Sequence, residues 1–429
     1  MPTRKGPTKG YTMANITIEQ FEKEALAFLE SNSERRPVEK AFVWGEGSDN
    51  FYREKDRAQE AANAEEAKVW RQKKFDAGFG WITGPESFGG RALTPAYDRL
   101  YNQLEATFRV PDQSAFAISL GMVTPTILDH GSPTARDLYV RKLWRGEMIA
   151  SQLFSEPGAG SDLASLTTRA VRDGDEWVLN GQKVWTSGAR FAEWGLAITR
   201  HDFDVPKHKG MTAFMVPFNA PGVEVRAIKQ MSGGANFNEV FLTDVRIPDS
   251  LRLGPVGDGW KVALTCLGFE RDHSSGSTSS HTGGTYKQVI AAAEWAGVAN
   301  DPIIRQSLAD LYIQHKVAQL TNRRAAAGLR AGQTPGPEGS LGKLMWTANM
   351  TRISNVISQI LGTRLVADNG EWGTYAWNEH ILGAPGYRIA GGSDEVQRNI
   401  VGERVLGLPP EPRVDKDVAF SEAQRLARK

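Results

Sequence analysis

The period of the hydrophobic pattern changes twice along this chain, and that change constrains the fold more than any other feature. Over residues 16–150 apolar side chains recur at helical spacing, as at Phe21 and Ala25. Over residues 151–250 the pattern becomes a series of short apolar runs separated by turns, and beyond residue 250 long helical patterns return. The sequence therefore predicts helices, then a sheet, then helices.

Six strand-like runs fill the central part of the chain. Turn sequences rich in Gly, Asp, Asn and Pro separate them, as at Gly174, Gly181 and Gly222. Short strands at regular spacing with such turns are typical of an antiparallel β domain. The runs cover residues 177–179, 184–186, 196–199, 212–216, 223–225 and 239–242.

The length of 429 residues fits two or three domains at roughly 100–200 residues each. The predicted fold class is α+β multidomain. We expect a disordered tail at 1–15, an N-terminal α-helical domain at 16–150, a middle antiparallel β domain at 151–250 and a C-terminal four-helix-type bundle at 251–429. Within the C-terminal part, helical patterns cover 259–267, 288–296, 302–331 and 341–368, and a last helix begins near Asp394.

Composition excludes several function classes. Lys and Arg total 51 against 50 Asp and Glu, a formal net charge of +1, which lacks the basic excess of a nucleic-acid-binding protein. The one cysteine, Cys266, excludes an intramolecular disulfide framework and cysteine-rich metal sites, and we predict no metal. No apolar run approaches the roughly 20 residues of a membrane span, and the basic N-terminus lacks the apolar core of a signal peptide. We therefore expect a cytoplasmic protein.

Two long motifs carry a family resemblance. Residues 153–163 read LFSEPGAGSDL and residues 179–189 read LNGQKVWTSGA, and together they resemble the flavin-binding signature of the acyl-CoA dehydrogenases. Similarity extends to 89–91, 241–248 and 391–404. The resemblance implies that family's helix–sheet–helix fold, FAD as cofactor, an acyl-CoA substrate and an electron-transfer flavoprotein as acceptor.

The resemblance also implies which residues contact FAD. Ser155 matches a hydroxyl at the pyrimidine side of the flavin, Ser187 a hydroxyl near N5, and Trp185 an indole against the ring. Ser161 matches a position near the FAD pyrophosphate and a contact to substrate. Taken singly, each serine is better explained as a turn cap and Trp185 as sheet core, and only the two motifs together favour flavin binding. The implied cofactor-binding residues are Phe154, Ser155, Gly160, Ser161, Trp185, Thr186, Ser187, Ser393 and Glu395.

The residue expected to act as catalytic base is missing from its usual place. Many family members carry a Glu in the loop before a late helix, where this chain has Gly391. Glycine cannot take a proton, although its N–H can still bind the thioester carbonyl. Glu270 matches an alternative base position on the helix after the β domain, and Arg271 is a candidate substrate contact. The competing interpretations are a solvated Glu270–Arg271 pair and Asp394 as base, although Asp394 is better explained as the N-cap of its helix.

Two further departures concern the neighbouring subunit and the acyl pocket. The family segments that reach a neighbour's FAD are replaced by residues 301–306 and 361–365. This predicts either a homo-oligomer, dimer or tetramer, with different contacts, or a hetero-oligomer with a related subunit. The Ser/Gly-rich run at 274–284 predicts a wide pocket for a branched, cyclic or steroid-like acyl group, with a surface loop as the alternative.

These observations predict α,β-dehydrogenation of an acyl-CoA thioester, with Glu270 as base and the flavin as hydride acceptor. Two alternatives stay open at this point. One is a flavin-dependent oxidase or monooxygenase of the same superfamily, and the other is a non-catalytic subunit of a mixed oligomer, which the glycine at position 391 favours.

Overall fold

The computed structural model describes residues 16–37, 42–46, 49, 57–271, 285–330, 336–412 and 415–427. The predicted tail at 1–15 and the Ser/Gly-rich run at 274–284 lie outside the described residues. Everything below concerns the described part of the chain.

Helices form the first part of the chain, as the sequence predicts. The first helix begins with a capping box, in which Thr17 Oγ1 accepts a hydrogen bond from the Gln20 N–H at 3.2 Å and Gln20 Oε1 accepts one from the Thr17 N–H at 3.0 Å. Its apolar positions Phe21, Ala25 and Leu29 are fully buried. The helices are α1 (Ile18–Asn32), α2 (Arg57–Asp76), α3 (Pro95–Glu105), α4 (Thr124–His130) and α5 (Pro133–Arg145).

The chain between residues 114 and 130 does not form one continuous α-helix. A 3₁₀ turn at Ser114–Phe116 and a π-helical turn at Ser119–Val123 precede α4. Pro125 has no N–H to continue an α-helical ladder, and the chain adopts the wider turn instead. Both the N–H and the hydroxyl of Thr124 donate to the Ser119 carbonyl, the hydroxyl at 2.6 Å.

The middle of the chain forms one eight-stranded sheet with the order β6-β7-β3-β2-β4-β5-β8, and β1 pairs with β4 beside this path. Most pairs are antiparallel, but β1 and β2 both run parallel to β4, so the sheet is mixed rather than purely antiparallel. Two of the predicted runs, 177–179 and 184–186, are parts of one long strand. The strands are β1 (Ala150–Leu153), β2 (Arg169–Asp173), β3 (Glu176–Ser187), β4 (Trp194–Arg200), β5 (Met211–Pro217), β6 (Val223–Ile228), β7 (Phe237–Pro248) and β8 (Arg252–Leu253).

Both faces of the central strands are covered, which explains their nearly continuous apolar sequences. Along β4, Leu196 and Ile198 point into a core shared with the helices before and after the sheet. Ala197, between them, points into a second core that β3 and β7 complete. The sheet thus carries helices on one face and its own outer strands on the other.

Long helices return after the sheet. The helix after β8 packs against β5 and α4, while the following helices form a bundle around a core that includes Leu311, Ile357 and Trp377. A helix begins at Asp394 as predicted, but it is not the last one, because another helix follows at 420–427. No described helix has the length and apolar composition required to cross a bilayer. The helices are α6 (Gly259–Arg271), α7 (Tyr286–Trp295), α8 (Pro302–Arg330), α9 (Gly339–Leu361), α10 (Trp377–Tyr387), α11 (Asp394–Arg404) and α12 (Phe420–Ala427).

Candidate active site

The two sequence motifs lie side by side in the sheet. The loop that follows β1 contacts β3 directly, because the Val184 N–H donates to the Ser155 carbonyl at 2.9 Å. Four residues before Ser155, on β1, the Ser151 hydroxyl donates to the Ser187 carbonyl at 3.0 Å. Residues more than 25 positions apart in sequence therefore form one continuous surface.

A buried ion pair fixes the loop against the sheet. Lys183, fully buried on β3, donates to Glu156 Oε1 at 2.9 Å and to the carbonyls of Phe154 and Ile198 at 3.0 and 2.7 Å. These three acceptors satisfy the ammonium group, so its burial costs far less than that of an unpaired charge. The lysine thus ties the start of the motif loop to both β3 and β4.

Glu156 completes this anchor. Its carboxylate also accepts hydrogen bonds from the Thr167 and Thr168 N–H groups at 2.7 and 2.8 Å. Burial alone would raise the pKa of Glu156, but the Lys183 charge and the hydrogen bonds outweigh it and lower the pKa to about 2. The carboxylate is therefore ionised, and it closes the base of the loop that spans residues 157–166.

Trp185 has an unusual backbone and an exposed ring. Its φ is +61°, a left-handed conformation that is strained for a bulky residue, and it lies at a register shift between β3 and β7. The indole packs edge-on against Phe237 at 5.9 Å between centroids, yet Trp185 remains 57% exposed. An aromatic ring held outward by strained backbone is a typical feature of a ligand-binding surface.

Three residues close to Trp185 in the chain or in the sheet carry a hydroxyl group without a hydrogen-bond partner among the described residues: Thr186 and Ser187 follow it in β3, and the Ser155 carbonyl binds the preceding Val184 N–H. The hydroxyls of Ser155 and Ser187 belong to half-buried residues, and that of Thr186 is buried. Such hydroxyls together with an exposed indole match the chemistry of FAD, whose isoalloxazine has polar edges and a flat apolar face. On this test the residues present fit the cofactor. Phe154, also predicted to contact FAD, is itself 5% exposed.

The tip of the motif loop is open. A tight turn joins Glu156 and Ala159, whose N–H and carbonyl groups exchange hydrogen bonds at 3.0 and 3.1 Å. Gly160 and Ser161 beyond it are exposed, and a Cβ added at Gly160 would meet nothing within 4 Å. The backbone here is accessible to a ligand, and the assignment of this loop to the phosphate-bearing part of FAD stays a prediction.

Glu270 and Gly391 are neighbours. Glu270 Oε1 lies 3.3 Å from the position that a Cβ on Gly391 would occupy. Gly391 has φ +63°, and its carbonyl accepts a hydrogen bond from Gln397 Nε2 at 2.8 Å. Its N–H has no partner among the described residues. The structure thus brings together the two positions that the sequence predicts for the base and for a carbonyl-binding N–H.

A short chain of contacts links this pair to the flavin motifs. Cys266 lies one turn before Glu270 on the same face of α6. The Gln152 amide donates to its sulfur at 3.7 Å, and Gln152 lies on β1 three residues before Ser155. Burial raises the pKa of Cys266 to about 12, so the thiol stays protonated at neutral pH. Cys266 is a small, buried, free cysteine.

The first turn of α11 corrects one expectation. Ser393, and not Asp394, is the N-cap, since its Oγ accepts the Val396 N–H at 3.3 Å. Asp394 is buried between Arg388 and Lys343, at 2.9 and 3.0 Å. Burial acts to raise the pKa of Asp394, but the hydrogen bonds from these partners lower it. An ionised carboxylate already bound to two cations is a poor proton acceptor.

The remaining predicted positions are less constrained. Glu395 is exposed and pairs with Arg398 at 3.4 Å. The side chain of Arg271 lies outside the described residues. Within the described part of the chain, no group of three or more His, Cys, Asp or Glu side chains is arranged to hold a metal ion.

Sequence reasoning missed the residues that support the site. Glu156 and Lys183 stand inside the quoted motifs but were given no role. A lysine inside a strand, with an acid in the preceding loop, is the signal of a buried pair. Gln152, at a strand position facing α6, carried no recognisable signal.

Comparison with known proteins identifies the family. Residues 151–245 match the family model "Acyl-CoA dehydrogenase, middle domain", and residues 257–406 match "Acyl-CoA dehydrogenase, C-terminal domain". Together these two segments cover more than half of the chain. They contain both flavin motifs, Glu270 and Gly391.

Individual relatives agree with the family models. The chain is 34% identical to acyl-CoA dehydrogenase IpdE1 of Mycobacterium tuberculosis over 351 residues, which span 81% of this chain and 90% of that protein. Two solved structures share the fold. The steroid acyl-CoA dehydrogenase Tcur3481–Tcur3483 aligns with TM-score 0.67 and 24% identity over 92% of this chain and 98% of that one. The ChsE4–ChsE5 complex from Mycobacterium tuberculosis aligns with TM-score 0.64 and 23% identity over 94% and 100%. The chain therefore belongs to the acyl-CoA dehydrogenase family and is an oxidoreductase that uses FAD to dehydrogenate an acyl-CoA thioester.

Proposed function

We propose that Glu270 is the base that removes the α-proton in this dehydrogenation, and that the Gly391 N–H binds the thioester carbonyl. The observation that carries the proposal is the 3.3 Å between Glu270 Oε1 and the position of a Cβ on Gly391. A carboxylate that starts on α6 thus reaches the place left open in the loop before α11. The glycine leaves room for it.

The two residues divide the chemical work. The α-proton of a thioester is too weakly acidic for a carboxylate unless the negative charge that develops on the carbonyl oxygen is stabilised. The Gly391 N–H, which has no partner among the described residues, supplies one donor for that oxygen, while Glu270 accepts the proton. FAD, when bound, accepts the hydride from the β-carbon. Trp185, Ser155 and Ser187 orient the isoalloxazine and limit the access of water.

We further propose a bulky or cyclic acyl group as substrate. The names of several similar proteins support this: a steroid acyl-CoA dehydrogenase among the solved structures, and cyclohexane-1-carbonyl-CoA dehydrogenase of Geobacter metallireducens, 26% identical over 77% of this chain. Turnover measured over a panel of acyl-CoA esters tests the idea. Fastest turnover on short straight chains would refute it.

An electron-transfer flavoprotein is the proposed acceptor, as the family resemblance implies. An oxidase would instead release hydrogen peroxide when it is given substrate without any other acceptor. Substrate-dependent peroxide at the rate of turnover would therefore overturn this part of the proposal. Localisation in the cytoplasm stays a prediction.

The variant Glu270→Gln tests the base directly. Loss of a positioned general base lowers the rate by about 10²–10⁴-fold, and we expect a loss of that size in turnover and in exchange of the α-proton with D₂O. The flavin spectrum should be unchanged, since Glu270 is not part of the flavin motifs.

The matched control is Glu294→Gln, which makes the same change at an exposed position of α7. It should keep wild-type turnover. Retained α-proton exchange in Glu270→Gln would remove the assignment of the base. A wild-type protein that binds no FAD would instead indicate a non-catalytic subunit.

A further inference from the structure

The last described segment, residues 415–427, leaves the helical bundle and docks on the sheet domain. It lies beyond residue 406, where the match to the C-terminal family model ends. The Phe420 N–H donates to the Val205 carbonyl at 3.0 Å and the Ser421 N–H to the Phe203 carbonyl at 2.8 Å. We call this segment the C-terminal clamp.

The clamp covers a buried arginine. Arg200 is fully buried at the end of β4. It donates to the carbonyls of Ala164 and Leu166 at 2.6 and 2.9 Å, and both residues lie in the second half of the loop that spans residues 157–166. Its guanidinium carbon lies 3.8 Å from the centroid of the Phe420 ring, and Phe420 is 2% exposed. A cation under an aromatic ring and out of water is held strongly. Phe420 therefore closes the pocket in which Arg200 holds the loop.

A second contact connects the clamp to the tip of the same loop. Lys207 Nζ lies 2.9 Å from Asp162 in the loop and 2.7 Å from Asp415 in the clamp. Burial opposes the charge on Lys207, but the hydrogen bonds that it donates to both acids raise its pKa, so the lysine stays charged. Its charge also offsets that of Asp162, which stands next to the exposed Ser161.

We propose that the C-terminal clamp positions the loop at residues 157–162 for the phosphate-bearing part of a nucleotide, with Phe420 and Arg200 as positioning residues. The inference rests on the proposed function, in which that loop meets FAD or acyl-CoA. The exposed backbone at Gly160 and the hydroxyl of Ser161 are groups suited to phosphate oxygens. An ordered loop binds phosphate more tightly because less conformational entropy is lost on binding.

Phe420→Ala tests the clamp in the full-length, flavin-loaded protein. We expect the dissociation constant of FAD, measured by flavin fluorescence on dilution, to rise about tenfold, equivalent to about 1.4 kcal/mol. Turnover at saturating FAD and substrate should stay near the wild-type value, because Glu270 and Gly391 do not contact the clamp. Phe420→Leu, which keeps an apolar cover over Arg200, should restore most of the affinity.

Leu426→Ala is the matched control, since it removes an apolar side chain from an exposed position of the same helix. It should leave FAD binding unchanged. A second measurement distinguishes the two sources of phosphate. If the loop serves CoA, Phe420→Ala raises KM for an acyl-CoA and leaves KM for the corresponding acyl-pantetheine unchanged.

The inference would be overturned if Phe420→Ala and Leu426→Ala had the same dissociation constant for FAD and the same ratio of KM for the acyl-CoA to KM for the acyl-pantetheine. If that result is accompanied by an inactive Glu270→Gln and a flavin-containing wild type, the proposed function survives and only the clamp fails. Absence of flavin from the wild type would overturn both.

Discussion

At the scale of single residues, the pair of Glu156 and Lys183 is the strongest support under the flavin motifs. Neither side chain contacts solvent appreciably, and each meets the other's charge together with backbone groups. Such a pair is weak evidence for net stability but strong evidence for a fixed geometry, because one partner alone is costly to bury. Its contribution is to hold the loop in place before any ligand binds.

Lys183→Met should therefore destabilise the protein by about 3–5 kcal/mol, since it leaves a buried carboxylate without a counter-charge. Urea denaturation at pH 7 measures this free energy. The double variant Glu156→Gln/Lys183→Met should be less destabilised than Lys183→Met. An equal or larger loss in the double variant would show that the pair is not coupled.

The same pair predicts a dependence on pH. Folding lowers the pKa of Glu156 from 4.5 to about 2, so its contribution is complete above pH 4.5 and is lost as the pH falls towards 2. In Glu156→Gln, the free energy of unfolding should fall less steeply than in the wild type over that range. Parallel pH profiles would contradict the assignment.

A substitution at Trp185 should weaken the binding of FAD much more than it changes the stability of the protein. Trp185→Gly removes the strain of φ +61°, which offsets part of the packing lost against Phe237, so the free energy of unfolding of the flavin-free protein should stay within about 2 kcal/mol of the wild type. The dissociation constant of FAD should rise at least about tenfold, because the indole is lost. Chemical denaturation and flavin fluorescence measure the two quantities.

Ala92→Gly is the control for Trp185→Gly. Ala92 has φ +50°, is exposed, and lies outside both motifs. The substitution should relieve similar strain without any effect on FAD. Weakened FAD binding in both variants would mean that the change acts through general stability.

At the scale of elements, the period of the hydrophobic pattern predicted where most helices and strands lie, but it did not predict how the strands pair. The runs at 177–179 and 184–186 look separate because Asn180 and Gly181 form a turn signal, yet β3 continues through them with a register shift opposite β7. β1 was missed because its four residues do not alternate between apolar and polar side chains. Its parallel pairing with β4 is a long-range contact that no local pattern encodes.

The candidate site could be predicted residue by residue only where motifs matched. The proximity of Glu270 to Gly391 followed from a family position, whereas the roles of Gln152 and Arg200 depend on three-dimensional contacts between distant segments. α12 was missed because its burial also depends on a contact between distant segments. Among the side chains of α12 that the structure describes, Phe420 is the one buried apolar residue, and the sheet domain buries it. Local sequence specifies elements better than it specifies their partners.

At the scale of the whole molecule, one helical face stays uncovered by any described residue. On α8, Ile313, Val317 and Leu320 are 52%, 46% and 60% exposed. Their spacing of four and three residues places them on one side of the helix, where they form an apolar stripe. A stripe of this kind on the surface of a single chain indicates an interface with another subunit.

The double variant Val317→Glu/Leu320→Glu should therefore shift the protein to a smaller assembly, because two carboxylates cannot be buried in an apolar contact without partners. Light scattering after size-exclusion chromatography measures the mass. Val171→Glu, at an isolated exposed valine on β2, is the control and should keep the wild-type mass. A wild-type chain that is already monomeric when purified alone, and that gains mass only with a related subunit, would identify the hetero-oligomer. An unchanged mass of an oligomeric double variant would show that the subunits meet elsewhere.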